Sequence, residues 1–461
     1  MGMAVDGLIS GLDTTSLINS LMQAEAIPQT LLKNKVSDST TYISAMQALN
    51  TKIAALADLA TTTSKPAGVD LHTATSSSTS VVATATTGAT DGTLDFTVDK
   101  LAQAQVTVSA PLTQWPDQPP VLTFVAADGT TTQVTAASSS LADVAAAINK
   151  AGVGVSATRV SAGLDPSTGQ QQYRLQLSST TTGAAGSFTA YRGTPAQVTA
   201  GTATDLLSEP GAAQVRAAQD AQVTLWAGTG AAQTVTSSTN TFADLLPGVS
   251  LTVSAASSAP VTLTVARSDS AISDVANSLV SGLNDIFTYI NQKNAVTTST
   301  DTAGGTVVSS GPFTGDSTVR DATQKLASAV STPINGLSPS TYGISMTSDG
   351  QITFDKDKFA AALAADPEKA KAALQTVASR VADAANVVSD KYDGTITSKI
   401  AGEQSTVKGL NNQITDWDTR LADRRSTLEK TYANLEVQLQ QLQSQSSWLT
   451  GQLAGLSTSS S

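Results

Sequence analysis

Leucines recur every seven residues towards the C-terminus, at Leu421, Leu428, Leu435, Leu442, Leu449 and Leu456, and Val407 and Ile414 carry the register upstream. A strict seven-residue step keeps one stripe of an α-helix turned to a neighbouring helix, whereas an unpaired amphipathic helix drifts to a 3.6-residue period. The pattern therefore predicts a helix that needs a partner, and the N-terminal helical stretch supplies a candidate. The companion positions Leu410, Trp417, Arg424, Thr431, Gln438, Gln445 and Gln452 turn from apolar to polar along the way, while Tyr432, Leu439 and Leu453 widen the leucine row. Because an isolated helix is marginal in water, the stretch after Arg425 is expected to order only when docked on other subunits. A hairpin within one chain is the other reading of the same repeat.

From Leu8 to Ala60 the pattern is also helical, with Asp13 and Thr14 placed to cap a helix bearing Leu17, Ile18, Leu21 and Met22. Pro28 predicts a break or kink, after which Val36, Ile43, Met46, Leu49, Ile53 and Leu56 continue an apolar face. The Ser/Thr run Thr73 to Ser80 reads as a linker. Beyond it, Leu94 to Val98, Tyr173 to Leu177 and Val261 to Val265 alternate apolar with polar residues, as half-buried strands do. Val121 to Val144 and Gln222 to Leu245 align without a gap, and both copies read as strand, turn, strand and helix start. After Arg267 the residues Ile272, Val275, Leu279, Leu283, Ile286 and Ile290 define another helix, followed by a Gly-rich loop. A helix over Ser317 to Val330, a hairpin turning at Ser348-Asp349-Gly350, and helices opening at Asp355 and Asp366-Pro367 complete the reading.

The fold class expected is α+β and multidomain: a helical, coiled-coil-like leg built from both termini, with β-rich head domains inserted between them. The boundaries expected are residues 1–35 and 426–461 for the terminal docking helices, and 36–72 with 268–425 for the leg. The first head takes 73–120 and 204–267, and the inserted second head takes 121–203. The two termini should lie together.

Composition narrows the chemistry. Aromatic residues are only 4% of the chain, so cores must be built from small side chains. A net charge of -11 without a basic patch argues against nucleic acid. Cysteine is absent, which excludes disulfides and thiolate metal sites. No Lys or Arg precedes Lys33, so no secretory signal peptide is expected, and no apolar run approaches the ~20 residues of a membrane span. His72, the single histidine, reads as an exposed linker residue. Gly152-Val153-Gly154 and Gly228-Thr229-Gly230 read as hairpin turns, and Asp355 to Lys358 as a solvated helix start. No catalytic, cofactor-binding or metal-binding residues are expected, and the chain does not read as an enzyme.

The stretch Gly11-Leu12-Asp13-Thr14-Thr15-Ser16-Leu17-Ile18-Asn19-Ser20-Leu21-Met22, with Glu25 and Pro28, resembles the N-terminal motif of the bacterial flagellar filament cap family, FliD or hook-associated protein 2. Val98 to Gln105, Leu246-Pro247-Gly248-Val249, Gly315 to Arg320, Tyr342-Gly343-Ile344 and Asp349 to Asp355 resemble further family segments in family order. Departures are Asn284 and Phe287 where an aromatic-asparagine pair is usual, and Ala373-Leu374 where leucine-phenylalanine is common. The resemblance implies a homo-oligomeric ring of roughly four to six copies at the distal filament tip, which promotes flagellin insertion, folding and polymerisation and prevents subunit loss. It implies flagellin, the hook-filament junction protein and an export chaperone as partners, with export by the flagellar type III pathway and no membrane insertion. On this reading the interface with other subunits or the filament is the helical seam Leu12, Leu17, Leu21, Leu421, Leu428, Leu435, Leu442 and Leu449. The alternatives are a filament structural subunit, either flagellin or a junction protein, and a tip adhesin.

Overall fold

The computed structural model describes residues 11, 13–300, 302 and 304–458, with side chains as far as residue 453 in the last helix. The chain divides into two compact units, with cuts between Pro66 and Ala67 and between Ile272 and Ser273. Leu12 lies outside the described residues, as does the side chain of Leu456.

One unit joins both ends of the chain in a helical bundle. Its first helix, Thr14–Glu25, starts where the Asp13 carboxylate accepts from Ser16 N at 2.8 Å, satisfying one of the free N–H groups of the first turn. The chain breaks at Ala26, and Pro28 falls in the opening turn of the long second helix, Ile27–Ser64. Its missing N–H costs nothing there, so the proline starts a helix instead of kinking one. Met46, Leu49, Ile53, Leu56 and Ala60 follow at alternating steps of three and four, all buried on one face. The second helix packs along Pro367–Ser389 and the closing helix Thr395–Thr458, and its Leu56 lies against Gly282 of Asp269–Asn294; Leu279, Leu283 and Ile286, Leu374, Val377, Val381 and Val388, and Ile396 are buried on these three helices. Buried Ala370, Ala373, Ala378 and Ala385 let the helix backbones approach closely, which is how a chain poor in aromatics still fills a core.

Polar side chains fix the smaller pieces of this unit. Asp316 caps the helix Ser317–Ser331 by accepting from Val319 N, and its other carboxylate oxygen accepts from Tyr42 Oη at 2.6 Å. Burial, and then that acceptor, hold the Tyr42 phenol well above its ordinary range. Asn284 donates to Ile352 O and accepts from Ile352 N, which ties the expected hairpin, Ile344–Met346 with Ile352–Phe354, to the bundle. The Gly-rich loop expected after Asn294 is instead a second hairpin, Val296–Thr300 with Thr306–Ser310. β-Branched residues fill most of its strand positions, and they outweigh the two glycines that suggested a loop.

The other unit is antiparallel β-structure with two cores. A five-stranded sheet takes the strands His72–Ser76, Ser257–Arg267, Gly92–Lys100, Ala221–Leu225 and Gln233–Ser237 in that order, with a three-stranded sheet of Thr241–Leu246, Val249–Val253 and Val81–Ala85. Leu94, Phe96 and Val98 alternate into this first core with Val223, Leu251 and Leu263. The second core lies among two four-stranded sheets and the helix Leu141–Ala151, and holds Leu122, Phe124, Ile148, Leu175 and Leu177, with Trp115 and Leu206 from either side of residues 121–203. The two modules join tightly. Gln103 and Gln219 bridge through their backbones, Thr182 Oγ1 donates to Ser238 O at 2.8 Å, and a Cβ on Gly183 would fall 2.6 Å from Ser238 Cα.

Four expectations are corrected in this unit. The linker from Thr73 includes most of the strand His72–Ser76, because its Ser and Thr residues pair with Ser257–Arg267. His72 is accordingly not exposed: its side chain is 9% accessible, with Nε2 3.3 Å from Asp91 Oδ1. The second aligned copy ends in the strand Thr241–Leu246, not a helix. In the first copy Ser140 caps and Ala146-Ala147 propagate the helix, whereas Pro247-Gly248 occupy the latter places in the second and forbid it. Finally, Gly152 is a left-handed helix cap with φ 63° rather than a hairpin turn.

Candidate functional site along the closing helix

The first helix and the closing helix run antiparallel, and polar pairs set their register. Arg425 donates to Asn19 Oδ1 at 2.7 Å, Arg424 Nε lies 2.9 Å from Glu25 Oε1, and buried Gln29 donates to Asp418 Oδ1 at 2.5 Å. Each exposed pair contributes at most about 1 kcal/mol, so these contacts choose the register while apolar burial holds it. Thr14, Ile18 and Met22 supply that burial, at steps of four along the first helix.

The expected seam residues differ in exposure. Leu17 and Leu21 stand one position away from Ile18 and Met22, about 100° around the helix, and so lie exposed on the flank. Leu421 and Leu428 are half-buried. Leu435, Leu442 and Leu449 are 43%, 61% and 56% exposed. The stretch after Arg425, expected to order only on docking, is helical in the single chain up to Thr458. From Val437 onwards it continues for roughly 33 Å. Leu453, read as widening the leucine row, is exposed there too, as are Trp448 and Val437, which were missed although Trp448 beside Leu449 was visible as a bulky pair in a polar neighbourhood. Exposed Gln438, Gln445 and Gln452 lie among them.

What this arrangement offers is exposed apolar area along one helix. Among the described residues no group of His, Asp or Glu is disposed to hold a metal ion, and no helix is long and apolar enough to cross a membrane. Large hydrophobic side chains carried on a rigid rod and rimmed by amides suit helix-in-groove or helix-on-helix docking.

Comparison with known proteins places this geometry. The model of the flagellar hook-associated protein 2 N-terminus matches residues 10–105, that of its C-terminus matches 218–444, and the flagellin hook IN motif matches 121–181. The chain is 28% identical to flagellar hook-associated protein 2 of Escherichia coli, over 98% of both proteins. It is 26% identical to the B-type flagellar hook-associated protein 2 of Pseudomonas aeruginosa, over 93% of this chain and 88% of that one. A solved structure of the Escherichia coli flagellar cap protein FliD has the same fold, with a TM-score of 0.55 at 22% identity over 78% of this chain and 99% of that one. Matched at both ends and across the intervening modules, this chain belongs to the flagellar hook-associated protein 2 family.

Proposed function

We propose that this chain caps the distal end of a bacterial flagellar filament, as an oligomer of its own copies that shelters arriving flagellin and prevents subunit loss. The observation that carries the reading, beside family membership, is the last part of the closing helix, where Leu435, Leu442, Trp448 and Leu449 lie exposed among the described residues. The segments 1–35 and 426–461 are then the docking parts, and the β-rich unit is the head. An extracellular site at the tip, export through the flagellar type III pathway, contacts with the junction protein and an export chaperone, and a non-enzymatic role belong to the same proposal.

Such a cap must hold and also step as the filament grows. A fully buried leucine is worth ~2 to 5 kcal/mol, so several of them in an all-leucine seam would lock it in place. Gln438, Gln445 and Gln452 dilute the seam and keep each docking event reversible.

The test replaces Leu435, Leu442 and Leu449 together with serine in a strain lacking its own cap protein. Flagellin lost to the medium and short or absent filaments are expected, with the purified variant still folded by circular dichroism. Filaments of normal length would sink the reading.

A further inference from the structure

We propose that the hairpin Val296–Thr300 with Thr306–Ser310 is a contact between copies of this chain, made by strand pairing along its edges. All ten of its strand residues are exposed, Val308 at 63%. A two-stranded ribbon is marginal by itself in water, and the strands of this one carry neither a charged residue nor a proline to discourage pairing. Its base, by contrast, is fixed. Gly311 N donates to Ala295 O at 3.0 Å, Phe313 N donates to Lys293 O at 3.2 Å, and a Cβ at Gly311 would fall 2.0 Å from Lys293 O, so the ribbon leaves the bundle in a set direction.

The ladder shows which groups are free to pair. The Gly311-to-Ala295 bond makes that opposed pair a hydrogen-bonded one. Bonded and unbonded pairs alternate in an antiparallel ladder, and the register continues through Thr297↔Ser309 and Ser299↔Val307. The backbone N–H and C=O groups of Val296, Thr298 and Thr300 therefore point out along one edge, and those of Thr306, Val308 and Ser310 along the other. A second copy in the same orientation brings its first strand, antiparallel and uncharged at the strand positions, against the second strand of its neighbour. Donors and acceptors then repeat at the same spacing. The two edges differ, so the contact runs head to tail and closes only as a ring. Each hairpin adds roughly 10 Å of sheet, narrower than a helical bundle, so copies converge on their hairpins as spokes do. The proposal rests on the capping reading for the ring itself, and names where the ring is stitched.

The test uses full-length protein with Thr298→Pro or Val308→Pro. Each removes an outward donor and no internal ladder bond, and Thr298→Ala and Val308→Ala keep that donor as controls. Sedimentation across a dilution series should show that either proline raises the concentration for half-assembly about tenfold or more, while the alanines leave it unchanged. In hydrogen exchange, the Thr298 and Val308 amides of the parent should slow about tenfold on assembly. Proline variants that assemble like the parent would overturn the proposal, as would a parent that is monomeric at every concentration or hairpin amides indifferent to assembly. If filaments are still capped in those cases, only the stitching fails; loss of capping through the leucine-to-serine variant, by contrast, bears on the docking helix.

Discussion

The two halves of the closing helix Thr395–Thr458 share one seven-residue repeat and have opposite fates. Ile396 and Ile400 are buried, and Val407, Leu410, Ile414, Trp417 and Leu421 are half-buried, whereas Leu442 and Leu449 face solvent. A repeat therefore specifies which side of a helix wants company, not whether the company is in the same chain. The difference comes from what lies opposite. The second helix and the helix Pro367–Ser389 reach the first half, but the first helix, running back along the closing one, comes only as far as Thr14 among the described residues.

That contrast can be broken in order of expected effect. Ile396→Ala should lower stability by ~2 to 5 kcal/mol in urea unfolding, since it opens a cavity among packed helices. A loss below about 0.5 kcal/mol would mean that the first half is not part of the core. Asp13→Ala should cost about 1 kcal/mol by removing the cap that starts the first helix, read as an earlier midpoint in the same experiment. Arg424→Ala should cost less than about 1 kcal/mol, because its pair with Glu25 is exposed, and high salt should erase the difference from the parent. Leu442→Ala should change monomer stability by under about 0.5 kcal/mol, and so should the triple change of Gln438, Gln445 and Gln452 to leucine. The triple variant sharpens the comparison elsewhere: filaments should elongate more slowly, and unchanged filament length would remove the role given to those amides.

Much of the helical unit was legible because local chemistry and long-range packing agree there. Asp13, Asp355 and Asp366 each cap the helix whose start they announced, Asp316 caps the helix expected from Ser317, and Asp349-Gly350 turns the hairpin it promised. Misreadings fell where composition was taken for conformation. Ser/Thr runs resemble linkers, yet Thr73, Ala74 and Thr75 find partners in Ala266, Val265 and Thr264, nearly two hundred residues later. No local signal reports such a partner, and the burial of His72 follows from the same unseen pairing. The missed hairpin at Val296 repeats the lesson, with two glycines read before the β-branched residues around them. In the candidate site, the heptad identified the helix, but a one-residue offset decided that Ile18 and Met22 turn inward and Leu17 and Leu21 outward. That offset is fixed by Gln29, Asp418 and Arg425, whose pairing is tertiary.

The joint at Gly183 has a mechanical corollary. With φ +89° and Ser238 pressed against the place a side chain would take, this position leaves no slack between the two β modules, and the Gln103–Gln219 bridge spans the same junction. A side chain at residue 183 would have to push Ser238 away, so the two modules keep their present separation only with glycine there.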